Sequence, residues 1–259
     1  MSLSSSVSKE SRKVKLGVLY GIGVGPGDPD LMTLKGARVL KRCRHVFVPK
    51  ARSENGSIAL AIANRFLRGD CRTYELVFPM SANSAELSRH WEQAAGRVAE
   101  VIATGEDACF LTLGDPLLYS TYVYLVRSLR RQLPALEAVT IPGITAFSAA
   151  AALAEFPIGE GNQRVVIIPA SDDLDVIGEA FAGGGTVILM KVGRRLRAVL
   201  DFIEQAGFLD RAVYVARAGL EGQQVEVDLR ELRRQKQQAD YLSILLVHTG
   251  QDEQGNHID

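Results

Sequence analysis

Patterns that suit strands and patterns that suit helices alternate along nearly the whole chain, and this alternation constrains the fold more than any other feature. In the first half the strand candidates are "KLGVLYGI", "HVFVPK", "TYELVFP", "ACFLTL" and "AVTIP". Between them lie helical stretches: "SIALAIANRFLRG", a pattern from Ser84 to Ala103, and "PLLYSTYVYLVRSLRRQ". A crossover long enough to hold a helix returns the chain to the same end of the sheet. Successive strands are therefore expected to run parallel, with helices covering the sheet.

The fifth strand leads into a helix of small residues, "TAFSAAAALAEF", and then into the break "PIGEGNQR", where a domain boundary is expected. The second half offers five more strands: "RVVIIPA", "TVILMKV", "RAVYVARA", "QQVEVDL" and "YLSILLVH". It also holds a clear helix, "RLRAVLDFIEQAG", with Leu196, Val199, Leu200 and Ile203 on one face and Gly207 placed to end it. The stretch "GLEGQQVEVDL" has no room for a helical crossover, so an antiparallel pairing is expected there. The reading is an α/β protein of two lobes with about five strands each: a mainly parallel N-terminal lobe over 15–157 and a mixed C-terminal lobe over 158–250. Polar tails over 1–14 and 251–259 are expected to be flexible.

The totals agree with this reading and remove some function classes. A chain of 259 residues that is 47% hydrophobic can bury a core of this size. Lys plus Arg and Asp plus Glu both number 30, which argues against a nucleic-acid binder. Cys43, Cys71 and Cys109 are isolated, an odd number without a CxxC pair, which points to a reducing compartment and away from a zinc site. The start "MSLSSSVSKESRK" lacks the apolar core of a secretory signal, and no apolar run approaches the ~20 residues that span a bilayer. A cytoplasmic protein with no membrane or nucleic-acid partner is expected.

Ligands of open α/β sheets bind beyond the carboxyl ends of the strands, and three strand ends here carry unusual chemistry. The first is "GIGVGPGDPD", residues 21–30. It resembles a dinucleotide loop, but no register of GxGxxG closes: the last position falls on Pro26, Asp28 or Asp30. Asp28 suits an N-cap and Pro29 the first helical position, with Leu31, Leu34, Ala37 and Leu40 as an apolar face behind them. Two acids at a helix start would repel a pyrophosphate. Two readings stand: a tight capped turn, or a turn whose glycines let the backbone approach a ligand.

The second is "FLTLGDPLLYSTY", residues 110–122, where Asp115 and Pro116 repeat the cap pattern and Tyr119, Ser120 and Thr121 follow with hydroxyls. The functional alternative to a plain cap is a carboxylate set beside a cationic ligand. The third is "IPGITAFSAAAALA", residues 141–154, where Thr145 can cap a helix whose start suits a ligand carboxylate. Its alanines also suit plain close packing. Together the turns disfavour phosphate and favour a small ligand bearing both a cation and a carboxylate; S-adenosylmethionine is one.

The stretches "VGPGDPDLMTLKGARVLKRCRHVFVPK", "FLTLGDPLLYSTYVYLVRSL" and "IPGITAFSAAAALAEFPI" resemble, in order, the motifs of the tetrapyrrole (corrin/porphyrin) methylase family, with Gly36 where alanine is usual. The resemblance runs from Lys15 to His248. Further details, "VFVPKA", "TLGDPLLYSTY", "ILMKVGR" and "YVARAGLEGQ", resemble the branch that methylates precorrin-2 or cobalt-factor II at C-20. The resemblance implies a two-lobed homodimer that binds S-adenosylmethionine in the interlobe cleft and releases S-adenosylhomocysteine. It implies cofactor contacts from Pro26, Leu113, Gly114, Asp115, Tyr119, Thr121, Thr145 and Ala146, and from Met190 and Ala216 in the second lobe, although Met190 also reads as an ordinary strand residue.

The reaction so implied is methyl transfer to a meso carbon, with the enzyme chiefly aligning the reacting atoms and excluding water. Asp115 is the candidate for electrostatic support or for handling the departing proton, and Tyr241 for a second polar role or for packing. The substrate, a tetrapyrrole with multiple carboxylates, calls for basic groups; Lys50, Arg52 and Arg194 are candidates, each also readable as a solvated surface charge. His45, His90, His248 and His257 show no metal-ligand spacing, so no protein-bound metal is expected. The competing expectations are another branch such as a uroporphyrinogen III methyltransferase, a nucleotide-dependent oxidoreductase, and a tetrapyrrole carrier without turnover.

Overall fold

The computed structural model describes residues 15–50, 56–78, 84–170, 172–234 and 240–250. The chain divides into two compact units. The first is built on five strands: β1 (Val18–Gly23), β2 (His45–Lys50), β3 (Arg72–Val77), β4 (Ala108–Thr112) and β5 (Glu137–Ile141). Their spatial order is β3-β2-β4-β1-β5, and every pairing is parallel. The central strand β4, "ACFLT", is buried at every residue and apolar up to Thr112, the pattern of a strand covered on both faces.

Among the described residues, four α-helices connect these strands: α1 (Leu34–Leu40), α2 (Ile58–Ala63), α3 (Ser84–Ala103) and α4 (Tyr122–Gln132). Ala94, Ala95, Val98 and Ile102 of α3 and Leu125 and Leu129 of α4 form one core with Leu19, Phe47 and Phe110 of the sheet. Gly21 lets the Tyr122 ring lie on β1, where a Cβ would come within 2.1 Å of it. The Tyr122 hydroxyl bonds Thr140 at 3.1 Å. The chain leaves β1 towards β2 and leaves β4 towards β5, so the neighbouring pair β1 and β4 forms the switch point of the sheet.

The second unit holds α5 (Ala146–Leu153), β6 (Val165–Pro169), α6 (Leu174–Ala182), β7 (Thr186–Met190), α7 (Leu196–Gln205), β8 (Ala212–Ala216), β9 (Gln224–Glu226), α8 (Leu229–Arg234) and β10 (Ser243–His248). The sheet order is β6-β7-β10-β8-β9, with β6 parallel to β7 and the other pairings antiparallel. Side chains alternate as the strand period demands. Val187, Leu189, Tyr214, Leu245 and Val247 pack with α6, α7 and α8, while Ile188, Val213, Val215, Ile244 and Leu246 pack with Ala149, Ala150 and Ala151 of α5. On α7 the four expected apolar residues are buried, and Gly207 (φ 79°) ends it with the Gly207 and Phe208 amides bonded back to Glu204 and Ile203.

The parallel first sheet and mixed second sheet match the expected α/β organisation. The compact units themselves divide at 142/143, whereas the expected lobes met at 157/158, because the alanines of α5 pack on the second sheet. Residues 24–33 and 113–115, just past β1 and β4, also group with the second unit. The expected tails at 1–14 and 251–259 lie outside the described residues.

Two helix starts differ from expectation. Asp28 caps only a 3-10 turn, Pro29–Leu31, and the backbone is extended at Met32 before α1 begins at Leu34. Leu34 is consequently 74% exposed instead of lying on an apolar face. In the second turn the helix begins at Tyr122, so Asp115 and Pro116 stand outside it.

Candidate functional site

The turns after β1, β4 and β5 are tied to one another through backbone and a single carboxylate. Gly25 and Gly114, both with positive φ (86° and 67°), form an isolated antiparallel bridge: the Gly114 amide donates to the Gly25 carbonyl at 2.7 Å and the Gly25 amide returns a bond at 3.4 Å. Asp115 does not cap a helix. Its Oδ2 accepts the Gly143 amide at 3.1 Å and so joins the second turn to the third. Thr145 does cap, its hydroxyl accepting the Ser148 amide at the head of α5.

The first turn is seated on the loop after β8. A Cβ at Gly27 would lie 2.4 Å from the Ala218 carbonyl oxygen, and a Cβ at Gly219 (φ 73°) would lie 2.6 Å from the Asp28 amide nitrogen. Two backbones thus meet at a distance only glycine allows. Pro26 and Gly27 are buried there.

Around the start of β10, Met190 pairs with Ile244 on one side and Ala216 with Ser243 on the other. The next residues, Lys191 (φ 59°) and Arg217 (φ 52°), both adopt the left-handed conformation that side chains disfavour. Such outliers concentrate at functional sites. Ser243, 1% exposed, accepts the Gly193 amide at 3.1 Å and donates to the Asp240 carbonyl at 2.6 Å. Burial pushes the Tyr214 hydroxyl above its ordinary pKa, and its hydrogen bond to Ser243 draws it partway back. Tyr241 is 47% exposed, with the Lys191 ammonium 6.0 Å from its ring centroid.

Of the residues singled out in the sequence, Pro26, Leu113, Gly114, Asp115, Thr145 and Ala146 lie in the tied turns of the second unit, and Met190, Ala216, Arg194 and Tyr241 at its strand ends. Tyr119 and Thr121 belong to the first unit. Tyr119 has φ 50°, and Thr121 heads α4 without a capping side-chain bond. Their loop is pinned by buried Ser120, which bonds Thr112 at 2.9 Å and accepts the Tyr122 amide at 3.1 Å.

Two of the basic candidates, Lys50 and Arg194, are engaged with acids. Lys50 pairs with Glu75 at 2.6 Å. Arg194 pairs with Asp172 at 3.5 Å, beside the two-pronged grip of Arg195 on the same carboxylate at 2.7 and 2.9 Å. The Arg195 guanidinium holds the Asp172 carboxyl below its usual range. Arg52 lies outside the described residues. Sequence reasoning missed Gly219, Arg217, Asp240 and Ser243. The available signal was the glycine in "VARAGLEGQ", which required a partner for its close approach.

The donor set suits a ligand with a cation and a carboxylate. At Gly114 a Cβ would stand in ordinary van der Waals contact with the Ala146 amide at 3.8 Å and the Ile144 carbonyl at 3.9 Å, which sets the second turn against the head of α5. Among the described residues no group of three or more His, Cys, Asp or Glu could hold a metal ion, and no helix is long and apolar enough to cross a membrane.

The family model for Tetrapyrrole (Corrin/Porphyrin) Methylases matches residues 18–233. The chain is 32% identical to the cobalt-precorrin-2 C(20)-methyltransferase of Salmonella typhimurium over 90% of its length and 96% of the relative. It is 31% identical to the precorrin-2 C(20)-methyltransferase of a Sinorhizobium species, over 90% and 96% of the two chains. Its fold is similar to that of a Thermus thermophilus uroporphyrin-III C-methyltransferase solved with S-adenosylhomocysteine: the TM-score is 0.61 at 20% identity, covering 90% of this chain and 97% of the other.

Proposed function

The chain belongs to the tetrapyrrole (corrin/porphyrin) methylases, and on that premise we propose that it methylates C-20 of precorrin-2 or of cobalt-factor II, with S-adenosylmethionine as donor. The observation that carries this reading is the match, over 90% of the chain, to relatives named for C-20 methylation; the three tied turns, in which Asp115 and the head of α5 lie within one unit, support the donor.

When bound, S-adenosylmethionine supplies its methyl group on a sulfonium, an electrophile that needs no further activation. The head of α5, at Thr145 and Ala146, favours the methionine carboxylate. Asp115, anchored by the Gly143 amide, places a negative charge where a sulfonium is favoured. Leu113, Gly114 and Pro26 line the turns around it. Met190 and Ala216 present small and apolar surface to the adenosine. The family resemblance also implies donor contacts from the Tyr119 and Thr121 hydroxyls. Transfer would form the new carbon–carbon bond at C-20 and break the methyl–sulfur bond, giving S-adenosylhomocysteine, and C-20 would then lose its proton; Asp115 is the candidate to receive it, and Tyr241 the candidate for a second polar role.

Because Lys50 and Arg194 already have acidic partners, each would have to exchange that partner for a substrate carboxylate. Relatives named for the cobalt-bearing and the metal-free substrate match at 32% and 31% identity, so the reading covers both forms. A homodimer in the cytoplasm completes it, supported by the family resemblance and checked by light scattering on purified protein.

The reaction test incubates the full chain with labelled S-adenosylmethionine and, in parallel, precorrin-2, cobalt-factor II and uroporphyrinogen III. Label in either of the first two, located at C-20, is the expected result. Label in uroporphyrinogen III alone would move the enzyme to a different branch, and tetrapyrrole binding without transfer would make it a carrier.

A further inference from the structure

The geometry points to Arg217 as a positioning residue that holds the wall of the methyl-donor pocket in place; the assignment rests on the donor reading above. The backbone of Arg217 is left-handed (φ 52°), and its amide donates to the Leu242 carbonyl at 2.8 Å. Its guanidinium grips two segments at once. Nε donates to the Glu221 carbonyl at 2.6 Å, and Nη1 donates to Asp240 Oδ2 at 3.0 Å. Asp240 Oδ1 accepts the Leu242 amide at 2.7 Å, so both carboxylate oxygens are used.

The loop 217–223 closes on itself. The Leu220 amide donates to the Arg217 carbonyl at 2.8 Å, and Gln223 Oε1 accepts the Gly219 amide at 2.8 Å. Ala218 and Gly219 form the seat against which Gly27 and Asp28 rest. Arg217 therefore fastens this seat to the segment entering β10, and through Gly27 it sets the position of Pro26. The Ala216 strand end, just before it, lies beside Ser243 through the β8–β10 ladder. A planar guanidinium can serve two acceptors in fixed directions, which a lysine ammonium does less well. Holding a pocket wall ready raises affinity by removing an ordering cost from binding.

The test is calorimetric titration of the full chain with S-adenosylhomocysteine, together with steady-state kinetics. Arg217→Ala is expected to weaken binding about tenfold and raise KM for S-adenosylmethionine similarly, with kcat and the tetrapyrrole KM within about twofold. Arg217→Lys is expected to recover about half of the loss on a logarithmic scale. Asp240→Asn, a nearly isosteric change that guards against a variant that fails to fold, is expected to weaken binding about threefold. Combined with Arg217→Ala it should add nothing, because the two side chains act as one clasp. Unchanged S-adenosylhomocysteine affinity in both single variants, or fully additive losses in the double variant, overturns the assignment. So does a loss of kcat matched by equal rises in both KM values, the mark of general disruption. Failure of the unsubstituted chain to bind S-adenosylhomocysteine at all would instead overturn the donor reading, and the assignment with it.

Discussion

Gly-Asp-Pro occurs twice in this chain, at residues 27–29 and 114–116, each time just beyond a strand of the first sheet. In the first copy the aspartate is a local cap, accepting the Asp30 amide at 2.8 Å, and the glycine is needed because two backbones meet there. In the second copy the glycine is needed for its φ of 67°, and the aspartate reaches across to the Gly143 amide. Identical tripeptides thus do local work in one turn and long-range work in the other. Helix-capping rules describe only the first. What distinguishes them is the neighbour that the fold supplies: the β8 loop for Gly27, and the third turn for Asp115.

Substitutions can separate the two copies. The largest expected effect is at Gly27, where a methyl would press on a backbone carbonyl that no rotamer change can move. Gly27→Ala should cost about 3 kcal/mol in chemical denaturation and greatly reduce S-adenosylhomocysteine binding. Equal stability to the unsubstituted chain would break the claimed close approach.

Next, Asp115→Asn retains an oxygen for the Gly143 amide but removes the charge. We expect kcat to fall about 100-fold with S-adenosylhomocysteine affinity within about threefold. If turnover is unaffected, Asp115 is a tie between turns and nothing more. Gly114→Ala adds a left-handed penalty of about 1 kcal/mol, visible in the unfolding midpoint, without the collision expected at Gly27. Smallest is Asp28→Ala, which removes the cap of a three-residue 3-10 turn and should cost about 0.5 kcal/mol, with steady-state kinetics unchanged.

The sequence carried the strands well because burial imposes pattern. The ten strand candidates in the chain all overlap the ten strands described, and the missing crossover in "GLEGQQVEVDL" announced the antiparallel β8–β9 pair. The helix after the first turn was less legible. Its capping residues are genuine, but they cap a single 3-10 turn, and the extended backbone at Met32 resets the register before α1.

Roles set by distant partners were the least visible. Gly27 and Gly219 are far apart in the chain, and nothing local to either names the other. The pairing of Lys50 with Glu75 depends on the β2–β3 register, and that of Arg194 with Asp172 on the placement of the loop after β6. Charge counts cannot foresee either one. Arg217 passed unnoticed among many arginines because its distinction is conformational.

The position of β10 has a consequence for how the molecule is made. It is the last strand among the described residues, yet it lies between β7 and β8. During synthesis β7 and β8 must remain unpaired on their inner edges until residues 243–248 emerge, and the turn at 24–33 must wait for its seat at Ala218 and Gly219. Contacts of such long sequence separation slow folding, and open strand edges in the interval invite aggregation. The first sheet, closed by residue 141, can form on the ribosome well before the second and present a finished scaffold while the rest of the chain is still arriving.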